Sequence, residues 1–127
     1  MDTGALGKVY GDGELIIRQG DVGEHMYVIQ EGSVEIFMEK GGKEVKLAEK
    51  GQGDFIGEMA IFDRDLRSAS VRALGVVRVL TVDKRNFLRR IHADPSLAFR
   101  IVEAMSLQIR TLNDEVAQLR GRIQQDP

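Results

Sequence analysis

The sequence predicts a mainly β body with flanking helices, in which a jelly-roll-like sandwich is followed by a short and then a long helix. Residues 8–82 alternate short β-branched runs with turn clusters, a pattern typical of strands. Fourteen glycines stand against two prolines in 127 residues, which indicates many tight turns between short elements. After residue 82 the spacing of the apolar residues becomes helical.

The predicted strands are short apolar runs rich in β-branched residues. They are Leu15–Ile17, Met26–Ile29, Val34–Met38, Val45–Ala48, Val71–Leu74 and Val76–Val82. Clusters of glycine, aspartate and other turn residues separate them. The pair Gly41-Gly42 lies between the third and fourth runs and predicts a hairpin, because such a turn needs residues that accept positive φ.

Two aspartates mark the starts of the predicted helices. Asp83 is an N-cap for a short helix that extends through Ile91. Asp94 is an N-cap acceptor followed by Pro95 at the first helical position, which is a strong start signal for the long helix. We therefore divide the chain into a β domain with the short helix, residues 1–93, and a C-terminal helix, residues 94–127.

The long helix carries a heptad pattern, because its apolar residues alternate between spacings of three and four. The a positions are Val102, Ile109, Val116 and Ile123, and the d positions are Ala98, Met105, Leu112 and Leu119. β-Branched residues at a with mostly leucine or methionine at d favour parallel two-stranded coiled coils. The pattern predicts a parallel homodimer, with Glu115 pairing across it with Arg120. The alternative is a helix whose stripe packs on its own β body.

Composition excludes several classes of function. The chain has no cysteine, which excludes disulfides, thiolate metal ligands and a cysteine nucleophile. Its net charge of −2 does not favour nucleic acid binding, and no segment has the apolar length of a membrane span. We expect a cytoplasmic protein with no membrane association and no direct nucleic acid contact.

Neither an enzyme nor a metal site is predicted. His25 and His92 have no second histidine at ligand spacing, and no catalytic triad or carboxylate pair is evident. The short helix has a basic face that we interpret as a solvated surface. This face comprises Lys84, Arg85, Arg89 and Arg90.

Residues 55–71 contain the predicted ligand-binding residues. Gly57 is predicted to end a strand and open a single helical turn, Glu58–Phe62, whose first N–H groups point one way and form an anion site. Arg67 follows, and its guanidinium can hold two phosphate oxygens at once. The segment therefore predicts a phosphate cradle.

Other residues of the segment indicate which class of ligand it would bind. Ser68 can donate a hydroxyl hydrogen bond, and the small side chain of Ala69 lets its backbone approach a ligand closely. Glu58 would repel a phosphate unless the ligand brings a donor for the carboxylate. A ribose 2′-hydroxyl is such a donor, so the segment predicts a nucleotide with its phosphate and 2′-hydroxyl close together, as in a 3′,5′-cyclic ring.

The segment resembles the phosphate-binding cassette of cyclic-nucleotide-binding domains, as in the catabolite activator protein family and the regulatory subunits of cyclic-AMP-dependent protein kinase. The family pattern is F-G-E-hydrophobic-A, a spacer and R-S/T/A-A. This chain has Phe55-Ile56-Gly57-Glu58-Met59-Ala60 and Arg67-Ser68-Ala69, with Ile56 as an extra residue. The resemblance covers essentially the whole chain, and it implies a β-roll, or double-stranded β-helix, before the helices.

The resemblance also implies residue roles. Glu58 accepts the ribose 2′-hydroxyl, Arg67 binds the exocyclic phosphate oxygens, and backbone amides come from Gly57, Glu58 and Ala69, with Ser68 adding its hydroxyl and amide. Ile56, Met59 and Ala60 complete the cassette. Polar residues of the long helix contact the base in this family. The corresponding residues here are Arg110, Thr111 and Asn113, whereas Leu112 departs from the polar residue expected at its position.

The function implied is a cyclic nucleotide receptor that couples binding to repacking of the C-terminal helix. Ser68, in place of a threonine linked to cGMP, favours cAMP over cGMP. Two alternatives remain open. One is the effector-sensing and dimerising half of a transcription regulator with a separate DNA-binding module. The other is a ligand-free dimerisation scaffold in which Glu58 and Arg67 form an ion pair.

Overall fold

A computed structural model describes residues 7–58 and 66–125, and the side chains only as far as residue 123. It contains a largely antiparallel sheet followed by two helices, which confirms the predicted fold class. The strands are β1 (Lys8–Tyr10), β2 (Leu15–Ile17), β3 (His25–Lys40), β4 (Lys43–Lys50), β5 (Phe55–Ile56) and β6 (Ser70–Asp83). The helices are α1 (Lys84–Ala93) and α2 (Pro95–Gln125).

The long strands β3 and β6 organise the sheet. Its order is β1-β6-β3-β4, while β2 also pairs with β6 and β5 also pairs with β3. The predicted hairpin is present, since Lys40 pairs with Lys43 and the two glycines between them have φ of +62° and +77°. Val34, Val77 and Val79 are fully buried between these elements, so the core lies inside the strands' own body.

Two pairs of predicted strands are single strands in the structure. Met26–Ile29 and Val34–Met38 both belong to β3, and the two runs from Val71 to Val82 both belong to β6. The residues that resemble a turn, Glu31-Gly32, form a bulge where the register shifts between Ile29 and Ser33. Gly32 has φ of +90°, and a Cβ there would lie 2.5 Å from the carbonyl oxygen of Val76. Glycine is therefore required by the close strand contact as well as by the backbone.

Both helix starts have the predicted caps. The Asp83 carboxylate accepts the N–H of Asn86 at 2.8 Å, and α1 continues to Ala93, two residues past the predicted end. The Asp94 carboxylate accepts the N–H of Ser96 at 3.2 Å, and Pro95 is the first residue of α2.

The chain divides into two compact units, Met1–Phe87 and Leu88–Pro127. The first contains the sheet, and the second contains the end of α1 and all of α2. The domain boundary predicted after residue 93 stays a prediction. Among the residues described, no helix is both long enough and apolar enough to cross a membrane.

Candidate functional site

The Arg67 guanidinium is held by two backbone carbonyls. Its Nη1 donates to the oxygen of Gly57 at 3.0 Å, and its Nη2 donates to the oxygen of His25 at 2.6 Å. An arginine side chain has five N–H donors in a fixed plane, so these contacts fix its orientation and leave three donors without a partner in the described part of the chain. The side chain is partly buried, and its guanidinium lies next to Gly57, the residue that follows β5.

The Arg67 backbone is also fixed. Its N–H donates to the oxygen of Asp21 at 2.7 Å, and its oxygen accepts the N–H of Gly20 at 2.9 Å. Next to them Val22 and Leu66 form an antiparallel bridge. The loop of residues 18–24, between β2 and β3, thus pairs with the segment that contains Arg67. The sequence alone predicted no role for this loop. The turn residues Gly20 and Asp21 are the feature of the sequence that could have indicated one.

Two glycines make room for the Arg67 side chain. A Cβ on Gly57 would lie 2.7 Å from Nη1 of Arg67 and 2.9 Å from Cδ1 of Ile17, and Gly57 has φ of +71°. A Cβ on Gly23 would lie 2.3 Å from Nε of Arg67. The guanidinium therefore packs directly against backbone, which explains how both Gly57 and His25 offer it a carbonyl oxygen.

Glu58 follows Gly57 and is partly buried. Both Glu58 and Arg67 are described, and no ion pair joins them. The neutralised pair that the ligand-free scaffold would have is thus not formed. Met59 and Ala60, and with them most of the predicted helical turn Glu58–Phe62, lie outside the described residues.

Ser68 and Ala69 follow Arg67 and precede β6. Ser68 is exposed and Ala69 is partly buried, and both lie in a bend of the backbone. The structure therefore brings the described cassette residues Ile56, Gly57 and Arg67 together around β5, with Ser68 and Ala69 next in the chain.

A cavity of about 320 Å³ adjoins the guanidinium. Its volume falls at the lower end of the roughly 300–1,000 Å³ typical of ligand pockets. Arg67 lines it together with Ile17, Arg18, His25 and Tyr27, whereas Gly57 and Glu58 are not among the described lining residues. Arg67 is therefore the predicted site residue that connects the cassette to the cavity.

Tyr27 is one of the residues that line this cavity. Burial raises the pKa of the Tyr27 phenol above its ordinary value and the neighbouring Tyr10 adds to the increase, while the positive charges of Arg67 and Lys8 oppose it. Tyr27 is therefore a neutral hydrogen-bonding group at neutral pH. It does not compete as an anion for the Arg67 guanidinium.

The predicted base contacts lie on α2, in the second unit. Arg110, Thr111 and Asn113 are exposed, as is Leu112. The Thr111 hydroxyl donates to the carbonyl oxygen of Leu107 at 3.1 Å, one helical turn earlier. The role of these residues in base recognition stays a prediction.

A metal site has no support in the parts of the chain that are described. These contain no group of three or more histidine, cysteine, aspartate or glutamate residues that could hold an ion. His25 contributes its backbone oxygen to Arg67.

Sequence comparison identifies a family. A family model described as the cyclic nucleotide-binding domain matches residues 8–94. The type II regulatory subunit of cAMP-dependent protein kinase from Drosophila melanogaster is 40% identical over 85 residues, covering 66% of this chain and 22% of the relative. The cAMP-activated global transcriptional regulator CRP of Salmonella typhimurium is 32% identical over 112 residues, covering 87% of this chain and 53% of the relative. The match thus spans between about a fifth and a half of these relatives.

Solved structures show the same similarity. The catabolite activator protein of Thermus thermophilus superimposes with a TM-score of 0.79 at 31% identity, covering 88% of this chain and 53% of the other. The cAMP-bound form of the EAL enzyme Bd1971 gives a TM-score of 0.62 at 32% identity, covering 93% of this chain and 32% of the other. Its cGMP-bound form also gives 0.62, at 36% identity, covering 75% of this chain and 26% of the other.

Proposed function

Because this chain belongs to the cyclic nucleotide-binding domain family, we propose that it is a regulatory receptor domain for a cyclic nucleotide, with cAMP preferred over cGMP. Arg67 binds the exocyclic phosphate oxygens, and Glu58 accepts the ribose 2′-hydroxyl. Backbone amides of Gly57, Glu58 and Ala69 and the hydroxyl of Ser68 complete the anion site, with Ile56, Met59 and Ala60 as the rest of the cassette.

The observation that carries this proposal is the fixed guanidinium of Arg67. Two carbonyl oxygens hold it at 3.0 and 2.6 Å, and its backbone is bonded on both sides, so little ordering is left to be done when an anion binds. Charge-assisted bonds to phosphate are about twice as strong as neutral ones. A pre-oriented, partly buried arginine beside a cavity is therefore suited to a compact phosphate.

Glu58 supports a nucleotide ligand over a simple phosphate. It lies one residue after the carbonyl that holds Arg67, and it forms no ion pair with that arginine. A carboxylate in this position disfavours a bare anion, because the two negative charges repel. A ligand that carries a hydroxyl donor next to its phosphate removes that penalty.

The choice of base depends on residues beyond the cassette. The two curated relatives are named for cAMP, whereas Bd1971 has both cAMP-bound and cGMP-bound forms. A similar protein thus has forms with either nucleotide bound. We propose that Ser68 and the polar side chains of Arg110, Thr111 and Asn113 favour adenine in this chain.

Dimerisation through α2 is part of the proposal. The seam residues Val102, Ile109, Leu112, Val116, Leu119 and Ile123 are between 47% and 72% exposed in the single chain. An apolar stripe of this length is stabilised by burial against a second copy, and β-branched a positions favour the parallel pair. Glu115 and Arg120 then lie at positions that pair across it.

Ligand binding is proposed to shift the packing of the helices. A ligand changes such an equilibrium only through its difference in affinity for the two states. One alternative is that this domain is the sensor half of a transcription regulator. The Salmonella relative is named as a transcriptional regulator that cAMP activates.

Titration calorimetry and thermal shift with cAMP, cGMP and the two 5′-monophosphates test the proposal. We expect cAMP to bind more tightly than cGMP and to stabilise the domain by about 2.7 kcal/mol at a hundred times its dissociation constant. The 5′-monophosphates should bind far more weakly, because their phosphate is not held close to the 2′-hydroxyl. A domain that neither cyclic nucleotide stabilises would contradict the proposal.

A further inference from the structure

Ser70 is a buried polar residue at the start of β6, three positions after Arg67, and is 6% exposed. Buried polar groups are almost always hydrogen-bonded, because an unpaired one costs desolvation energy. Its Oγ accepts the backbone N–H of Gln19 at 2.8 Å. The hydroxyl therefore joins β6 to the loop of residues 18–24.

Gln19 is fastened at a second point. Its side-chain Oε1 accepts the N–H of Glu39 at 2.8 Å, and its Nε2 donates to the oxygen of Glu39 at 3.3 Å. The amide thus pairs with the backbone of β3 as a neighbouring strand would. Ser70 holds the main chain of Gln19 while Glu39 holds its side chain.

The next residues of the loop hold Arg67. Gly20 and Asp21 pair with its backbone at 2.9 and 2.7 Å, and His25, just past the loop, accepts its Nη2 at 2.6 Å. Three consecutive residues therefore link Ser70 and Arg67: Gln19 is bonded to the Ser70 hydroxyl, and Gly20 and Asp21, next in the chain, are bonded to the Arg67 backbone. Of the four contacts to Arg67, two come from this loop, one comes from His25 at the start of β3, and one comes from Gly57 of the cassette motif.

We propose that Ser70 is a positioning residue for the anion site, which fixes the 18–24 loop through Gln19 and thereby the backbone of Arg67, from which the guanidinium extends. The inference rests on the proposed function for its ligand but not for its geometry. Without the hydroxyl, the Gln19 N–H loses its acceptor, the loop gains alternative conformations and Arg67 has to be ordered when the phosphate binds. That ordering lowers affinity.

A matched set of variants isolates the hydroxyl. Ser70→Thr keeps the hydroxyl acceptor and adds a methyl group. Ser70→Val has nearly the same shape as Ser70→Thr but lacks the acceptor, so these two variants differ only in the hydrogen bond. Ser70→Ala removes the acceptor without adding volume, and it replaces the valine variant if the extra methyl groups prevent folding. Asp12→Ala is the control, since Asp12 Oδ1 accepts the N–H of Gly75 at 2.7 Å in a turn without contact to Arg67.

Amide hydrogen exchange in the ligand-free protein tests the geometry. We expect Ser70→Val, or Ser70→Ala, to speed exchange at the Arg67 amide by about fivefold or more, because one net hydrogen bond is worth about that factor. Amides in the centres of β3 and β6 should change much less. Ser70→Thr should match the wild type, and Asp12→Ala should leave the Arg67 amide unchanged.

Calorimetry with cAMP tests the consequence for binding. Affinity should fall about fivefold or more in Ser70→Val and stay within about twofold in Ser70→Thr and Asp12→Ala. If the wild type binds no cyclic nucleotide, the proposed function fails, and the exchange experiment still decides whether Ser70 positions Arg67. Unchanged Arg67 exchange in both acceptor-free variants overturns the inference, as does an equal rise at all amides, which would mean general destabilisation.

Discussion

The β body and the helix α2 differ in the solvent exposure of their apolar residues. In the β body, Val34, Val77 and Val79 are completely buried by the chain's own strands. On α2, Ile109 is 58% exposed and Leu112 is 51% exposed, although both lie in an unbroken heptad pattern. The apolar core of the first region is buried, whereas the apolar stripe of the second is an open, exposed surface.

The same contrast holds for the polar residues of the candidate site. Arg67 makes four backbone hydrogen bonds, all within the β body. On α2, Thr111 bonds only to its own helix among the described contacts. On the proposed function, phosphate recognition is therefore built within the β body before the ligand binds, and we propose that base recognition by α2 depends on assembly. Each prediction below tests one side of that division.

The largest effect is expected at the open surface. Changing Leu112 and Leu119 to lysine should convert a dimer to monomers, because each leucine buried in a seam contributes roughly 1.5–3 kcal/mol and the dimer contains four. Sedimentation velocity measures the change.

Leu107→Lys is the control for that experiment. Leu107 is 61% exposed but lies outside the a and d positions, so this variant should remain dimeric. A wild-type chain that sediments as a monomer with and without cAMP would end the coiled-coil proposal and leave the α2 stripe unexplained.

The next largest effect is expected at the anion site. Arg67→Ala should weaken cAMP binding by about 2–5 kcal/mol, because a partly buried phosphate loses its charge-assisted partner. Calorimetry measures the loss. Arg72→Ala is the control, since Arg72 lies five residues later, in β6, and pairs with Glu35 and Glu44, so its loss should leave affinity unchanged. Equal affinities for wild type and Arg67→Ala would remove the assignment.

A smaller effect separates ribose recognition from phosphate recognition. The wild type should bind 2′-deoxy-cAMP about 1.5–3 kcal/mol more weakly than cAMP, because Glu58 loses the hydroxyl that it accepts. In Glu58→Ala the two ligands should bind equally, although both more weakly than cAMP binds the wild type. Persistent discrimination in that variant would place 2′-hydroxyl recognition on another residue.

The sequence predicted the parts of this molecule that local chemistry determines. The Gly41-Gly42 hairpin and the caps at Asp83 and Asp94 depend on neighbouring residues alone, and all are present. The motif from Gly57 to Arg67 was visible because its residue types and their spacing resemble the cassette pattern of the family. These features need no knowledge of contacts between distant residues.

What the sequence did not predict depends on distant contacts. Glu31-Gly32 resembles a turn, but pairing of β3 with β6 converts it into a bulge inside one strand. The carbonyls of Gly57 and His25 that orient Arg67 are backbone atoms, so no residue type marks them. Ser70 appears as an ordinary serine until its burial and its bond to Gln19 are known.

The smallest expected effect concerns the start of α2. The hydrogen bond from Ser96 lowers the pKa of the exposed Asp94 carboxyl, with a further contribution from the charge of Arg100, while desolvation opposes them. Since the folded-state pKa lies below the unfolded value of about 3.9, Asp94 stabilises the helix start above that pH, and the contribution is lost as the pH falls through the lower folded-state pKa. An NMR titration of the Asp94 carboxyl carbon should give a midpoint below 3.9. Ser96→Ala should return that midpoint towards the ordinary value of an aspartate. A wild-type midpoint at or above the ordinary value would show that the helix cap does not favour the charged form of Asp94.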